Sequence, residues 1–136
     1  MLFRSHLARH RAADLFLDTR PYNAHATAMD ALWAGLPVLT LPGEGFASRV
    51  AASLLNAVGL SELVATSAAH YEDMAVNMAE NPGIVAGARK KLARNRLDSP
   101  LFDTRRFVKD LESGYAQMLD RFYAGLPPEH MNVIGV

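Results

Sequence analysis

The sequence predicts an α/β fold with a short parallel sheet, flanking helices and a helical C-terminal tail. Three observations carry this. Asp14-Leu15-Phe16-Leu17-Asp18 and Pro37-Val38-Leu39-Thr40-Leu41 read as strands. The second is apolar without alternation, the pattern of a strand buried on both faces, as in a parallel sheet. Between them, Met29, Leu32 and Trp33 have helical spacing, and Gly35 is a good helix stop. Strand, helix and strand at this spacing form a βαβ unit, for which a right-handed crossover is expected.

The remaining elements follow in order. A first helix is expected from about Ser5, as N-cap, to Ala13. Thr19-Arg20-Pro21-Tyr22-Asn23-Ala24 has loop chemistry. After Pro42-Gly43-Glu44-Gly45, a helix ending at Gly59 should place Phe46, Val50, Leu54, Leu55 and Val58 on one face. Leu63-Val64-Ala65 is a candidate third strand. Ser67 should cap a helix carrying Tyr71, Met74 and Met78, and Asn81-Pro82 should end it and begin another. The last long helix is expected from about Thr104 to Tyr123. So thin a sheet, opening on a helix with no strand before it, reads as a piece of a larger domain. Residues 1–125 are expected to form that piece and 126–136 a loose tail.

Composition narrows the function. Among 136 residues, 14 basic ones balance 14 acidic ones, leaving no field to steer the chain toward nucleic acid or an anionic membrane. The longest apolar stretch, Ala31 to Leu41, is broken by Gly35 and Pro37 and is too short to span a bilayer. No secretory signal pattern opens the chain. The absence of cysteine excludes disulfides, thiol nucleophiles and Cys-zinc sites, and fits a cytoplasmic protein. No spacing supports a metal site, His70 and His130 being isolated. The basic run Arg89, Lys90, Lys91, Arg94 and Arg96 lacks interleaved aromatics and reads as a solvated helix face.

The informative stretch is Asn23-Ala24-His25-Ala26-Thr27-Ala28-Met29-Asp30. It lies where the carboxyl end of a parallel strand passes through a loop into a helix, the edge at which open α/β sheets bind ligands. A helix mouth offers unpaired amides and the positive end of its dipole, and small residues at Ala24, Ala26 and Ala28 would let an anion approach. Thr27 adds a hydroxyl and His25 a ring donor, so a diphosphate would suit the mouth, with Asp30 accepting from ribose hydroxyls. The same residues have a plainer reading, in which Thr27 is an N-cap, Asp30 favours the dipole and the small residues serve packing. Arg9 could contact a ligand or lie on a solvated helix face, and Arg49 could reach the cleft or bridge to a loop carboxylate. A dinucleotide-binding domain is disfavoured, because no Gly-x-Gly-x-x-Gly follows a strand.

The run His25-Ala26-Thr27-Ala28-Met29-Asp30-Ala31-Leu32-Trp33-Ala34-Gly35-Leu36-Pro37-Val38-Leu39-Thr40 resembles the O-linked N-acetylglucosamine transferase family. So do Pro42-Gly43-Glu44, Ala47 to Ser53, His6-Leu7-Ala8-Arg9 with Ala13 to Thr19, Tyr71-Glu72-Asp73 and Ser99-Pro100-Leu101-Phe102. The likeness runs from about His6 to His130. It implies the C-terminal part of the second Rossmann-like domain of a GT-B enzyme, associated with tetratricopeptide repeats. Family members transfer N-acetylglucosamine from UDP to Ser or Thr hydroxyls with inversion, without a metal or other cofactor. By resemblance, His6, Leu7, Ala8 and Arg9 wrap the uracil and ribose, His25, Ala26 and Thr27 hold the diphosphate, and Asp30 holds the ribose.

Two departures bear on the donor. Ala26 stands where the family commonly has a threonine, and Tyr22 is bulky where the sugar's pocket would be. The related SPINDLY branch uses GDP-fucose, whereas the His-x-Thr-x-x-Asp pattern here favours a UDP-sugar. The family's leaving-group lysine, acceptor surface and first Rossmann-like domain would lie upstream of Met1, so the isolated chain is expected to be inactive. The competing reading is a non-catalytic oligomerisation or interaction module that keeps the fold. An unpaired sheet edge leads to the further expectation of a homo-oligomer.

Overall fold

The structure is a computed structural model and describes residues 2–133. Its α1 (Leu2–Arg9) continues through a 3-10 turn, His10–Ala12, before Ala13 turns extended. Ser5 is therefore interior to the first helix rather than its cap, and the α-helical geometry stops at Arg9, short of the expected Ala13.

Two strands form the sheet, β1 (Phe16–Leu17) and β2 (Val38–Leu39). They run parallel, Phe16 opposite Val38 and Leu17 opposite Leu39. Val38, Leu39 and Thr40 are fully buried, which is why this stretch shows no alternation. The candidate third strand is reduced to one parallel bridge, Thr40 to Val64, because Leu63 is taken up in a 3-10 turn. Helix α2 (Ala26–Ala34) connects β1 to β2 and buries Ala28, Ala31 and Leu32. It stops at Gly35, whose φ of 88° is left-handed, so its amide closes back on Ala31 and Leu32.

After β2 the chain makes a tight turn through Gly43 and Gly45. The amide of Gly43 donates to Ser48 at 2.8 Å, and a Cβ on Gly43 would stand 2.7 Å from the Ser48 hydroxyl, so this approach requires glycine. Helix α3 (Val50–Ala57) follows a separate 3-10 turn at Phe46–Ser48. Leu55 and Val58 pack in the core as expected, but Phe46 is 75% exposed and leaves the expected stripe. The turn ahead of the helix swings it out to solvent.

Helix α4 (Ala68–Glu80) is capped by Ser67, whose hydroxyl accepts from the His70 amide. Helix α5 (Pro82–Asn95) begins with proline at its first turn. The basic run on α5 and at its C-cap Arg96 is more than a solvated face. Arg89 bonds the Ala13 carbonyl and Asp14, Lys91 pairs with Glu62 at 2.7 Å, and Arg96 donates to the Trp33 carbonyl at 2.6 Å while lying over the Trp33 ring. Burial alone would raise the Glu62 carboxyl, but the bond and charge of Lys91, with Glu62's own backbone, hold it below the usual carboxylate range.

The chain divides into two units, Met1–Ser99 and Pro100–Val136. The second unit carries α6 (Thr104–Tyr123), capped by Asp103, whose carboxylate accepts from the Arg106 amide at 3.0 Å. Beyond α6, Arg121 donates to the Pro127 carbonyl and pairs with Glu129. No helix among the described residues is long and apolar enough to cross a membrane.

Candidate functional site

The site is the mouth of α2, at the carboxyl edge of the sheet. Helix α2 begins at Ala26, one residue earlier than expected, with His25 at the N-cap and no side chain capping the amides. The first bond closing on the turn before it runs from the Met29 amide to the His25 carbonyl. Among the described residues, the amides of Ala26, Thr27 and Ala28 receive no acceptor, the geometric consequence of starting a helix. Thr27 is therefore not an N-cap. It sits one position into the helix, exposed, with its hydroxyl unengaged among the described residues, and Ala26 beside it is also exposed.

The three small residues divide between the two readings. Ala26 faces solvent and Ala24 is half-buried, while Ala28 is fully buried and serves the core. Ala28 is 0% exposed, so neither its methyl nor its amide is open to solvent.

A buried scaffold sets the loop before the mouth. The Asp18 carboxylate, 6% exposed, accepts from the amides of Thr19 at 2.9 Å and Ala24 at 2.7 Å and from the Thr40 hydroxyl at 2.6 Å. Asn23 is buried too. Its side chain donates to the Thr19 carbonyl at 2.9 Å, and its amide donates to the Ala47 carbonyl at 3.0 Å. The Tyr71 hydroxyl donates to the Asp18 carbonyl at 2.8 Å. Burial, and then the Asp18 charge, raise the Tyr71 phenol above its ordinary value. These anchors were not among the candidates read from the sequence. The signals for them were a polar residue closing a strand, a loop asparagine, and the family likeness over Ala13 to Thr19 and at Tyr71.

His25 is placed differently from expectation. Its Nε2 lies 3.1 Å from the Ala47 carbonyl, which can only accept, so Nε2 carries the proton. That donor is used within the fold. The ring offers a phosphate only Nδ1, an acceptor while the ring is neutral and a donor when it carries both protons. Tyr22 stacks on the ring at 4.8 Å between centroids, and Phe46 meets it edge-on at 6.1 Å. Tyr22 is 63% exposed and covers one face of the His25 ring at the N-cap of α2.

Asp30 lies one turn into α2, on the face of Ala26 and Thr27. Its Oδ2 is 3.0 Å from His6 Nε2, and the two side chains are 30% and 31% exposed. The structure thus brings together His6 and Asp30, which are far apart in sequence. Leu7 and Ala8 line a shallow groove with Arg11, Trp33 and Arg96. Arg9, at the end of α1, and Arg49 are exposed, and neither pairs with a carboxylate among the described residues. No cluster of His, Cys, Asp or Glu among the described residues could hold a metal ion.

This arrangement is a helix mouth with unpaired amides at a sheet edge, with a carboxylate one turn away. A model of glycosyl transferase family 41 matches residues 3–111. The chain belongs to that family. It is 43% identical over 130 residues to the probable UDP-N-acetylglucosamine–peptide N-acetylglucosaminyltransferase SEC of Arabidopsis thaliana, covering 95% of this chain and 13% of that protein. It is 40% identical to the UDP-N-acetylglucosamine–peptide N-acetylglucosaminyltransferase of Caenorhabditis elegans, over 93% of this chain and 11% of that one. A SPINDLY protein of Hordeum vulgare is 34% identical over 93% of the chain. Among solved structures, a mutant O-GlcNAc transferase from Thermobaculum terrenum superposes with a TM-score of 0.79 at 37% identity, covering 84% of this chain and 22% of that one. The fold is thus the C-terminal part of a Rossmann-like GT-B domain. This glycosyl transferase family 41 chain spans less than a seventh of the two relatives it matches at 43% and 40% identity.

Proposed function

We propose that this chain is the donor-binding part of an inverting protein O-linked N-acetylglucosamine transferase, and that it holds the diphosphate of a UDP-sugar at the mouth of α2. The single observation that carries this is the set of unpaired amides at Ala26 and Thr27, exposed beside Thr27's hydroxyl. A diphosphate matches them in charge and in acceptor number. The ribose falls to Asp30, oriented by His6, and the uracil to the end of α1 at Leu7, Ala8 and Arg9. Tyr22 borders the space for the sugar. UDP-N-acetylglucosamine is the donor named for the relatives, and the reading carries it here.

Transfer also needs a positioned Ser or Thr acceptor and stabilisation of the departing UDP. The reading assigns both to a preceding GT-B domain, associated with tetratricopeptide repeats in a cytoplasmic enzyme. The isolated chain is expected to bind donor without turning it over, and the reading calls for no metal or cofactor. A homo-oligomer is part of the same proposal.

Calorimetric titration tests it. UDP should bind the chain, and His25→Ala and Asp30→Ala should weaken that binding. No heat at millimolar UDP would favour the second reading, an interaction module that kept the fold; the loss of a hydroxyl at Ala26 is the observation on its side.

A further inference from the structure

We propose that Asp18 is a positioning residue for the donor site, its buried carboxylate presetting the Thr19–His25 turn so that the α2 amides are aimed before a ligand arrives. The inference rests on the diphosphate reading. Asp18 closes β1 and Thr40 follows β2, so the carboxylate sits at the carboxyl edge of the sheet, where the chain must turn into α2. Both oxygens are committed, Oδ1 to the amides of Thr19 and Ala24 and Oδ2 to the Thr40 hydroxyl. All three donors are neutral, and no cation pairs with Asp18 among the described residues.

A carboxylate this buried is costly unless those bonds are made, so the turn is held in the one shape that makes them. Ala24 immediately precedes His25 and Ala26. Fixing its amide therefore fixes where α2 begins and where its free amides point. A small misplacement of such donors weakens every contact they make. The Tyr71 hydroxyl on the Asp18 carbonyl braces the same residue from α4.

Calorimetric UDP titration of variants of the full chain, with amide exchange, tests this. Asp18→Ala is expected to raise the Kd by about tenfold or more, since the Ala24 amide loses a charged acceptor. Asp18→Asn keeps an acceptor for the Thr19 and Ala24 amides and offers its NH2 to the Thr40 oxygen, so it should restore affinity to within about threefold of the parent. Thr40→Val, which leaves both amide bonds, should melt earlier yet bind UDP as the parent does. A folded Asp18→Ala chain that binds within about twofold of the parent would overturn the proposal. Should Asp18→Ala not fold, exchange in the unsubstituted chain decides. The Ala24 amide should be protected without UDP, and free exchange until UDP is added would overturn the preset turn. An unsubstituted chain that binds no UDP would instead sink the donor-site reading, while the exchange result would still judge the turn.

Discussion

Asp30 Oδ2 and His6 Nε2 lie 3.0 Å apart, tying the second turn of α2 to α1 across 24 residues of sequence. Both side chains are about a third exposed, so the pair adds little to stability, about 1 kcal/mol or less. On the proposed donor reading its value is orientational, since it fixes which carboxylate oxygen is left for a ribose hydroxyl. Losses in UDP affinity from His6→Ala and Asp30→Ala should therefore fail to add. A double-mutant cycle measured by titration should give a coupling on the order of 0.5–1 kcal/mol. Additive losses would separate the two residues functionally.

Ala26 offers the converse experiment. It is exposed and sits in the first turn of α2, so a larger residue meets no core. Ala26→Thr adds a hydroxyl donor beside the Ala26 and Thr27 amides. One neutral hydrogen bond is worth about 0.5–1.5 kcal/mol, so UDP should bind roughly two- to twelvefold tighter. Unchanged affinity would place the phosphates elsewhere.

Tyr71 makes stability depend on alkaline pH. Its phenol is raised in the folded chain, by burial and then by the Asp18 charge, above the unfolded value of about 10. A raised pKa contributes stability that is full below the unfolded value and lost as pH rises through the folded one. Thermal melts of the parent should therefore fall as pH climbs past about 10, and Tyr71→Phe should flatten part of that fall. At neutral pH the same substitution should cost about 1 kcal/mol, the bond to the Asp18 carbonyl.

Self-association is the fourth expectation. Leu17, on the two-stranded sheet, is 52% exposed, and within the second unit Phe107, Tyr115 and Phe122 are 61%, 60% and 74% exposed. Apolar surface of this kind favours contact between copies. Light scattering over a concentration series should show mass rising above that of a 14.9 kDa chain. A monodisperse monomer would remove the oligomer from the account.

Elements with strong local signals were legible in the sequence. Helix α2 with its Gly35 stop, the Ser67 cap, the proline start of α5 and the span of α6 follow from capping chemistry and periodicity. What escaped was set by tertiary contacts. The start of α1 depends on residues before Ser5, and Phe46 left its stripe because a 3-10 turn intervenes before α3. The donor of His25 was assigned to a ligand because nothing local reveals the Ala47 carbonyl, 22 residues away. Asp18 reads as a strand end until Thr40 and Ala24 are seen to converge on it. Small residues carry the least information, since Ala26 and Ala28 look alike in sequence while one faces solvent and the other the core.

The most direct test of the α2 mouth is backbone amide NMR of the isotope-labelled chain during UDP titration. The account predicts saturable shifts largest at the amides of Ala26 and Thr27, with smaller ones at Asp30 and His6. Saturable binding whose largest shifts fall away from the start of α2, or spectra that UDP leaves unchanged at millimolar concentration, would contradict it.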